Sequence, residues 1–172
     1  MGVVKDPDNN PNRLLVQMMN QYQGALLRAC YLYLCDMEQA KDAVQETFLK
    51  AYKALPSFKG DCSEKTWLFK IAINTCREMR RSRWFRYVDR RITPEQIPGV
   101  FYMDVDDYIE ITKEIMKLSP KLKEVIILYY WKGMTMSDIS SVLGISQSTV
   151  TSRLKRAREK LQEMLERSGY HG

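Results

Sequence analysis

The spacing of the apolar residues constrains this chain most, because it follows the period of an α-helix through nearly the whole length. Apolar side chains recur every three or four residues within segments 15–30, 40–55 and 67–75, and again within 122–130. No segment sustains the alternation of a strand. The pattern predicts an all-α protein with three long helices in its first half, and Ser63 is placed to cap the third.

Charge and turn-forming residues divide the chain into two parts. Residues 1–92 carry a net charge of +6, residues 93–120 carry −4, and residues 121–172 carry +4. The acidic part contains two prolines and a glycine before residue 100, which is typical of a linker. We therefore expect two small helical domains, 13–91 and 111–168, joined by a flexible linker over 92–110.

The residue content argues against most catalytic, metal and membrane chemistry. The single histidine, His171, lies next to the last residue, the four cysteines form no C-x-x-C pair, and no glycine-rich phosphate loop occurs. We expect no catalytic residue, no metal and no cofactor, and we expect Cys30 and Cys76 to be reduced core residues. The longest apolar run, 125–131, is far shorter than the about 20 residues of a membrane span. A soluble, intracellular protein follows as the expectation.

The C-terminal part contains the pattern of a helix-turn-helix. Thr135 and Asp138 fit a capping box, which predicts a helix that starts at residue 136. Gly144 can adopt the left-handed conformation that ends this helix, and Ser146 can cap a second helix that starts at residue 147. The two helices are then separated by a turn of residues 144–146.

The second helix of this motif has one apolar and one polar face. At about 100° per residue, a buried stripe is formed by Val150, Leu154, Ala157 and Leu161. The opposite face is formed by Ser148, Thr151, Ser152, Lys155 and Arg156. Small hydroxyl and basic residues suit a helix in the DNA major groove, with Lys155, Arg156, Arg158 and Lys160 as phosphate contacts. A solvated helix shows a polar face as well, so this pattern leaves both interpretations open.

Segment 77–91 is rich in arginine and aromatic residues, with seven arginines and three aromatics against two acidic residues. Such a composition suits unpaired nucleic acid, because arginines contact phosphates and aromatic rings stack on bases. Alternatively, Trp84 and Phe85 close the core of the first domain. We favour phosphate contact for the arginines and core packing for the two aromatics.

Four segments, in order, resemble a known family. They are 42–52 (DAVQETFLKAY), 58–61 (FKGD), 66–75 (TWLFKIAINT) and 118–120 (LSP), followed by the helix-turn-helix. Together they resemble bacterial sigma-70-type factors of the extracytoplasmic-function group over about residues 14–165. The resemblance implies a cytoplasmic, non-enzymatic subunit that joins core RNA polymerase, recognises promoter elements and helps to melt the DNA, with 13–91 as region 2 and 111–168 as region 4.

The resemblance also implies roles for individual residues. The coiled-coil clamp of the largest polymerase subunit would be bound by Asp42, Gln45, Glu46 and Lys50. The minus-ten element, as it melts, would be contacted by Phe58, Lys59, Gly60, Asp61, Asn74, Arg77, Arg80 and Arg81. Taken alone, the first set is also compatible with an exposed amphipathic face, and Asn74 with a polar residue satisfied within the fold.

By the same resemblance, the duplex minus-thirty-five element would be contacted by Ser148, Thr151, Ser152, Arg153, Lys155 and Arg156. Many family members have glycine and a basic residue where Ser148 and Thr151 stand, so the base preference cannot be transferred. The family further implies an anti-sigma factor as a partner, and neither a small-molecule substrate nor membrane insertion. Two rivals are a regulator with a ligand or phospho-acceptor domain, whose α/β pattern is not found here, and a helical RNA-binding protein.

Overall fold

The chain folds into seven α-helices over the residues that the structure describes. This computed structural model describes residues 11–81, 105–131 and 133–169, and no strand occurs in these ranges. The helices are α1 (Pro11–Leu34), α2 (Met37–Ala54), α3 (Glu64–Arg81), α4 (Val105–Lys117), α5 (Pro120–Ile126), α6 (Met136–Leu143) and α7 (Gln147–Arg167). The all-α fold class and the three long helices of the first half are confirmed.

The N-terminal unit consists of α1, α2 and α3, which pack against one another. Their apolar stripes meet in a core that includes the fully buried Leu26, Leu68 and Phe69. Cys30 and Cys76 are buried free thiols in this core, as predicted. Helix α2 starts after Asp36, whose carboxylate accepts a hydrogen bond from the backbone N–H of Gln39 over 2.8 Å.

A short irregular segment joins α2 to α3. A 3₁₀ turn (Leu55–Ser57) ends α2, and the Phe58 ring then stacks on the Trp67 ring with their centroids 4.6 Å apart. The Ser63 hydroxyl accepts a hydrogen bond from the backbone N–H of Thr66 over 3.1 Å, which confirms the predicted cap. The loop is therefore fixed to the first turn of α3.

The C-terminal unit contains the predicted helix-turn-helix in α6 and α7. The Thr135 hydroxyl accepts from the Asp138 N–H, and the Asp138 carboxylate accepts from the Thr135 N–H, each over 3.1 Å. Gly144 ends α6 with φ 66° and ψ 39°, and the Ser146 hydroxyl accepts from the Thr149 N–H over 3.2 Å. The capping box, the glycine turn and the second cap are all confirmed.

The apolar segment before this motif is less regular than its spacing predicts. Helix α5 ends at Ile126, and a π-helical turn (Ile127–Trp131) replaces the expected continuation. Residues 125–128 are all buried, since α5 contacts α1, α4 and α7. A helix surrounded by neighbours shows no polar face, so its period cannot distinguish α from π geometry.

The two units pack against each other. Helix α1 contacts α4 and α5, helix α3 contacts α6, and the buried residues of both units form one continuous core. The Thr66 hydroxyl at the start of α3 donates to the Asp138 carboxylate at the start of α6 over 3.3 Å. We call this packed arrangement of the two units the closed form.

Parts of the predicted linker and of the arginine-rich segment, residues 82–104, lie outside the described residues. Helix α4 starts at Val105, so the C-terminal end of the predicted linker is helical. Among the helices described, none is long and apolar enough to cross a membrane.

Candidate nucleic-acid and polymerase interfaces

Helix α7 presents the polar face that its sequence predicts. Val150, Leu154 and Ala157 are buried against the rest of the C-terminal unit. All five residues of the opposite face are exposed: Ser148, Thr151, Ser152, Lys155 and Arg156. Neither of the two cations has an ion pair within the described parts of the chain, so both are available to an anionic partner.

The hydroxyl groups on this face are held by local hydrogen bonds. Thr151 donates to the carbonyl of Gln147 and Ser152 donates to the carbonyl of Thr149, each over 3.0 Å. A hydroxyl that donates to the backbone still has acceptor lone pairs for a base edge. These bonds therefore orient the hydroxyl oxygens without using up their capacity.

Arg158 differs from its basic neighbours on α7. Its Nε donates to the Tyr130 hydroxyl over 2.7 Å, and its guanidinium lies 5.4 Å and 5.5 Å from the ring centroids of Tyr129 and Tyr130. These contacts join α7 to the π-helical turn. A role as a phosphate contact, predicted from sequence, would compete with this structural one.

The loop after α2 exposes three of its four predicted DNA-contacting residues. Lys59, Gly60 and Asp61 are exposed, whereas Phe58 is half-buried against Trp67. Gly60 has φ 76°, a conformation that other residues rarely adopt. Asn74 lies further along α3, roughly 15 Å from the loop at 1.5 Å per residue, and is exposed.

Arg77 on α3 is held by a buried carboxylate of the C-terminal unit. Its Nε and Nη2 donate to the two oxygens of Glu124 over 2.8 Å and 2.9 Å, and the Tyr33 hydroxyl donates to the same carboxylate over 3.1 Å. We call Tyr33, Arg77 and Glu124 the Glu124 cluster. The hydrogen bonds to Glu124 raise the pKa of Arg77, while burial raises the pKa of Tyr33 to about 12.

The Glu124 cluster lies in a cleft of about 570 Å³ between the two units. The cations that line it are Arg77, Arg80 and Arg81 of α3, Lys121 of α5 and Arg153 of α7. Arg80 lies over the Tyr33 ring, 5.8 Å from its centroid. The closed form thus brings residues predicted for the minus-ten element next to one predicted for the minus-thirty-five element.

Sequence reasoning did not single out Tyr33, Lys121 or Glu124. The only sequence signal is weak: Lys123 and Glu124 directly precede the apolar run 125–131, and the structure buries both side chains. Buried charges require partners, yet those of Glu124 are 47 and 91 residues away and the spacing does not identify them.

The exposed face of α2 contains three of the four predicted polymerase contacts. Asp42, Gln45 and Glu46 are exposed, while Lys50 is half-buried and donates to Glu78 of α3 over 2.6 Å. Two apolar residues on the same face are exposed and were not predicted: Leu49 (55%) and Tyr52 (52%). A large exposed leucine and tyrosine beside polar groups are typical of a protein-binding surface.

Two family models match the two units. Sigma-70 region 2 matches residues 18–86, and Sigma-70 region 4 matches residues 108–161. The RNA polymerase sigma-H factor of Pseudomonas aeruginosa is 33% identical over 162 residues, which cover 85% of this chain and 83% of that protein. The chain belongs to the sigma-70 family. The extracytoplasmic-function sigma factor SigL of Mycobacterium tuberculosis is also 33% identical over 162 residues, covering 91% of each chain. The protein described here belongs to the same extracytoplasmic-function group.

Solved structures agree with the assignment. The sigma factor RpoE of Bartonella quintana, crystallised with the anti-sigma factor NepR, superposes with a TM-score of 0.70 at 28% identity, over 87% of this chain and 97% of that one. As a sigma factor, the chain acts in promoter recognition and transcription initiation. The surfaces described above are candidates for these contacts.

Proposed function

We propose that this sigma factor binds core polymerase through α2, reads the melted minus-ten element with segment 58–61 and α3, and reads the duplex minus-thirty-five element with α7. The observation that carries this assignment is the exposed hydroxyl and basic face of α7, placed by a capped helix-turn-helix. A helix so positioned, with Ser148, Thr151 and Ser152 exposed on its first turns, has the geometry of a recognition helix.

At the minus-thirty-five element, the proposed contacts are of two kinds. Ser148, Thr151 and Ser152 are short enough to let the helix approach base edges, and the Thr151 methyl can touch a thymine methyl. Lys155 and Arg156, one turn further along, contact phosphates and add affinity without sequence information. Arg153, which is half-buried in the cleft of the closed form, joins them when the units separate.

At the minus-ten element, the proposed contacts lie on segment 58–61 and on α3. Asn74 offers both a donor and an acceptor to an unpaired base edge. Arg77, Arg80 and Arg81 follow on the same helix and contact the phosphates of the separated strand. Phe58, Lys59, Gly60 and Asp61 hold an extruded base, with the stacked Phe58 and Trp67 rings forming the apolar side of its pocket.

The polymerase contact is assigned to α2. Asp42, Gln45 and Glu46 bind the coiled-coil clamp of the largest subunit, and Leu49 and Tyr52 supply the apolar centre of the contact. Lys50 holds α2 against α3 through its ion pair with Glu78, and it donates to the polymerase clamp only from the edge of the contact surface.

An anti-sigma factor is proposed as a further partner, because the similar RpoE was crystallised with one. The protein is proposed to act in the bacterial cytoplasm as a subunit without chemistry of its own, with no catalytic residue, cofactor or small-molecule substrate. Within the described residues, no three His, Cys, Asp or Glu side chains approach one another closely enough to hold a metal.

Transcription in vitro tests the proposal. Purified protein, sigma-free core polymerase from the same organism and fragmented genomic DNA are combined, and the RNA 5′ ends are sequenced. We expect protein-dependent starts that share two upstream elements about 16 to 19 base pairs apart. The double variant Lys155→Ala, Arg156→Ala should lose these starts, whereas Glu163→Ala on the same helix should retain them.

The alternative is a conventional helix-turn-helix regulator. Sequence-specific DNA binding without polymerase, together with no protein-dependent starts, would favour that function and overturn the proposed one.

A further inference from the structure

Glu124 is a buried carboxylate of the C-terminal unit that is bound by donors of the N-terminal unit. Only 2% of the residue is exposed, and the forked guanidinium of Arg77 meets both of its oxygens. Tyr33 of α1 adds a third donor. Helices α1, α3 and α5 are thus joined at one point by charge-assisted hydrogen bonds, which are the strongest kind in proteins.

The Glu124 cluster occupies groups that the proposed function assigns to DNA. Arg77 uses Nε and Nη2 for Glu124, and its Nη1 donates to the Asn74 side-chain oxygen over 3.3 Å. Both residues belong to the proposed minus-ten surface. While the cluster is intact, Arg77 has no free fork for a phosphate.

In the closed form, the two proposed DNA-binding surfaces are also too close together to reach both promoter elements. Arg81 of α3 and Arg153 of α7 line the same cleft, and α6 packs on α3. Elements about 16 to 19 base pairs apart lie roughly 55 to 65 Å apart along a duplex of about 34 Å per turn. The two units must therefore separate before both surfaces reach their elements.

A buried ion pair favours either a fully closed or a fully open arrangement of the two units. If only one partner were removed, the other charge would remain buried and uncompensated, so the pair resists partial opening. If the whole units move apart, both charges return to water or to new partners, and Arg77 can exchange a carboxylate for a phosphate. Such a contact favours two discrete states over a gradual opening.

We propose that the Glu124 cluster is an autoinhibitory contact that keeps the free sigma factor closed, with Arg77 withheld from DNA until polymerase binding separates the two units. The withholding of Arg77 from DNA rests on the proposed function, whereas the closure of the free protein through Glu124 does not. Glu124 acts on the DNA surface only through Arg77 and the closed form, so it is a regulatory residue and contacts no DNA.

Small-angle X-ray scattering of the free, full-length protein tests the structural part. The wild type should have a radius of gyration of about 16 Å, the value of a compact chain of this length, whereas separated units should give about 20 Å or more. Glu124→Gln keeps the shape but loses the charge, and it should shift the free protein towards the larger value. Glu114→Gln is the matched control, because Glu114 is also buried but pairs with Lys117 of its own helix.

Helix content from circular dichroism shows whether each variant is folded. An E124Q protein that is folded and as compact as the wild type would overturn the proposal, as would an expanded wild type. Should E124Q lose its helix content, Arg77→Met decides, since methionine keeps much of the side-chain length but has neither the charge nor the fork; a folded and compact R77M protein then overturns the proposal.

Transcription with saturating core polymerase separates this proposal from the proposed function. The E124Q holoenzyme should match the wild type in start sites and in maximal RNA yield, because the contact is open in the holoenzyme. If the wild type gives no specific starts while E124Q expands, the assigned function fails and the closed form stands. If E124Q expands but its holoenzyme is inactive, Glu124 belongs to the active complex and the autoinhibitory role is overturned.

Discussion

Asn74 and Arg77 are neighbours on one turn of α3, but they depend on the rest of the protein differently. Asn74 is exposed and its side-chain oxygen accepts a hydrogen bond from Arg77, whereas Arg77 is held by Glu124 of the other unit. A substitution at Asn74 therefore removes a base contact with little change to the fold. A substitution at Arg77 changes both the DNA surface and the closed form.

We predict that Asn74→Ala leaves polymerase binding intact and impairs promoter opening, because its base contact exists only after the strands separate. The rate or extent of opening should fall by about tenfold, corresponding to about 1–2 kcal/mol for a lost hydrogen bond to a base. Permanganate reactivity of unpaired thymines measures this directly. Normal reactivity in the variant would remove Asn74 from the proposed minus-ten contacts.

Asp138 has a structural role that its sequence predicts and a second contact that it does not. The capping box with Thr135 was readable from local spacing, whereas the bond from Thr66, 72 residues away, was not. The pKa of Asp138 lies below its ordinary value of 3.8, chiefly because the Thr135 hydroxyl donates to it. The ionised carboxylate is thus the form that stabilises the folded chain.

Asp138→Asn should lower the free energy of unfolding at pH 7 by about 0.3–1 kcal/mol, the usual contribution of a negative charge in the first turn of a helix. Because the folded pKa is depressed, this stabilisation is present above pH 3.8 and is lost as the pH falls through the folded value. Urea titrations at pH 7 and pH 3 should therefore show a difference between wild type and variant that shrinks in acid. An equal difference at both pH values would mean that the charge of Asp138 contributes nothing.

At the scale of elements, α6 and α7 were predictable and the end of α5 was not. Thr135, Gly144 and Ser146 act within a few residues, so their signals are complete in the sequence. The bounds of α5 depend instead on helices that surround it, and Glu124 finds its partners 47 and 91 residues away. The helix-turn-helix was predictable because its caps are local hydrogen bonds. The Glu124 cluster was not, because it depends on pairing between buried groups that are far apart in sequence.

The basic residues of α7 should separate into two groups by their contacts. Arg156→Ala should reduce the dependence of DNA binding on salt by about one unit of slope, since one phosphate contact is lost. Arg158→Ala should leave the slope unchanged and lower the stability of the C-terminal unit, because Arg158 is engaged by Tyr129 and Tyr130.

Fluorescence anisotropy of a duplex minus-thirty-five fragment at several salt concentrations measures the slopes, and thermal unfolding measures stability. The assignment would be reversed if Arg158→Ala changed the slope and Arg156→Ala did not.

At the scale of the whole molecule, charge and packing oppose each other in the closed form. Five cations line the cleft against one carboxylate, so the units repel each other there except at Glu124. The opposing contributions are the continuous apolar core and the hydrogen bond from Thr66 to Asp138. We therefore expect the free protein to favour the closed form only modestly, so that a binding partner can shift the equilibrium to the open form.

The balance has a measurable consequence for polymerase binding. If the open form alone binds polymerase, the apparent dissociation constant equals the intrinsic one divided by the open fraction. A free protein that is about 90% closed would then bind about tenfold more weakly than one held open, so Glu124→Gln should bind core polymerase up to about tenfold more tightly. Titration of labelled sigma factor with core polymerase gives both constants, with Glu114→Gln expected to match the wild type. If only the open form binds polymerase, closure must weaken the apparent affinity of the wild type. Equal dissociation constants for wild type and E124Q would therefore show that polymerase does not have to open a closed form.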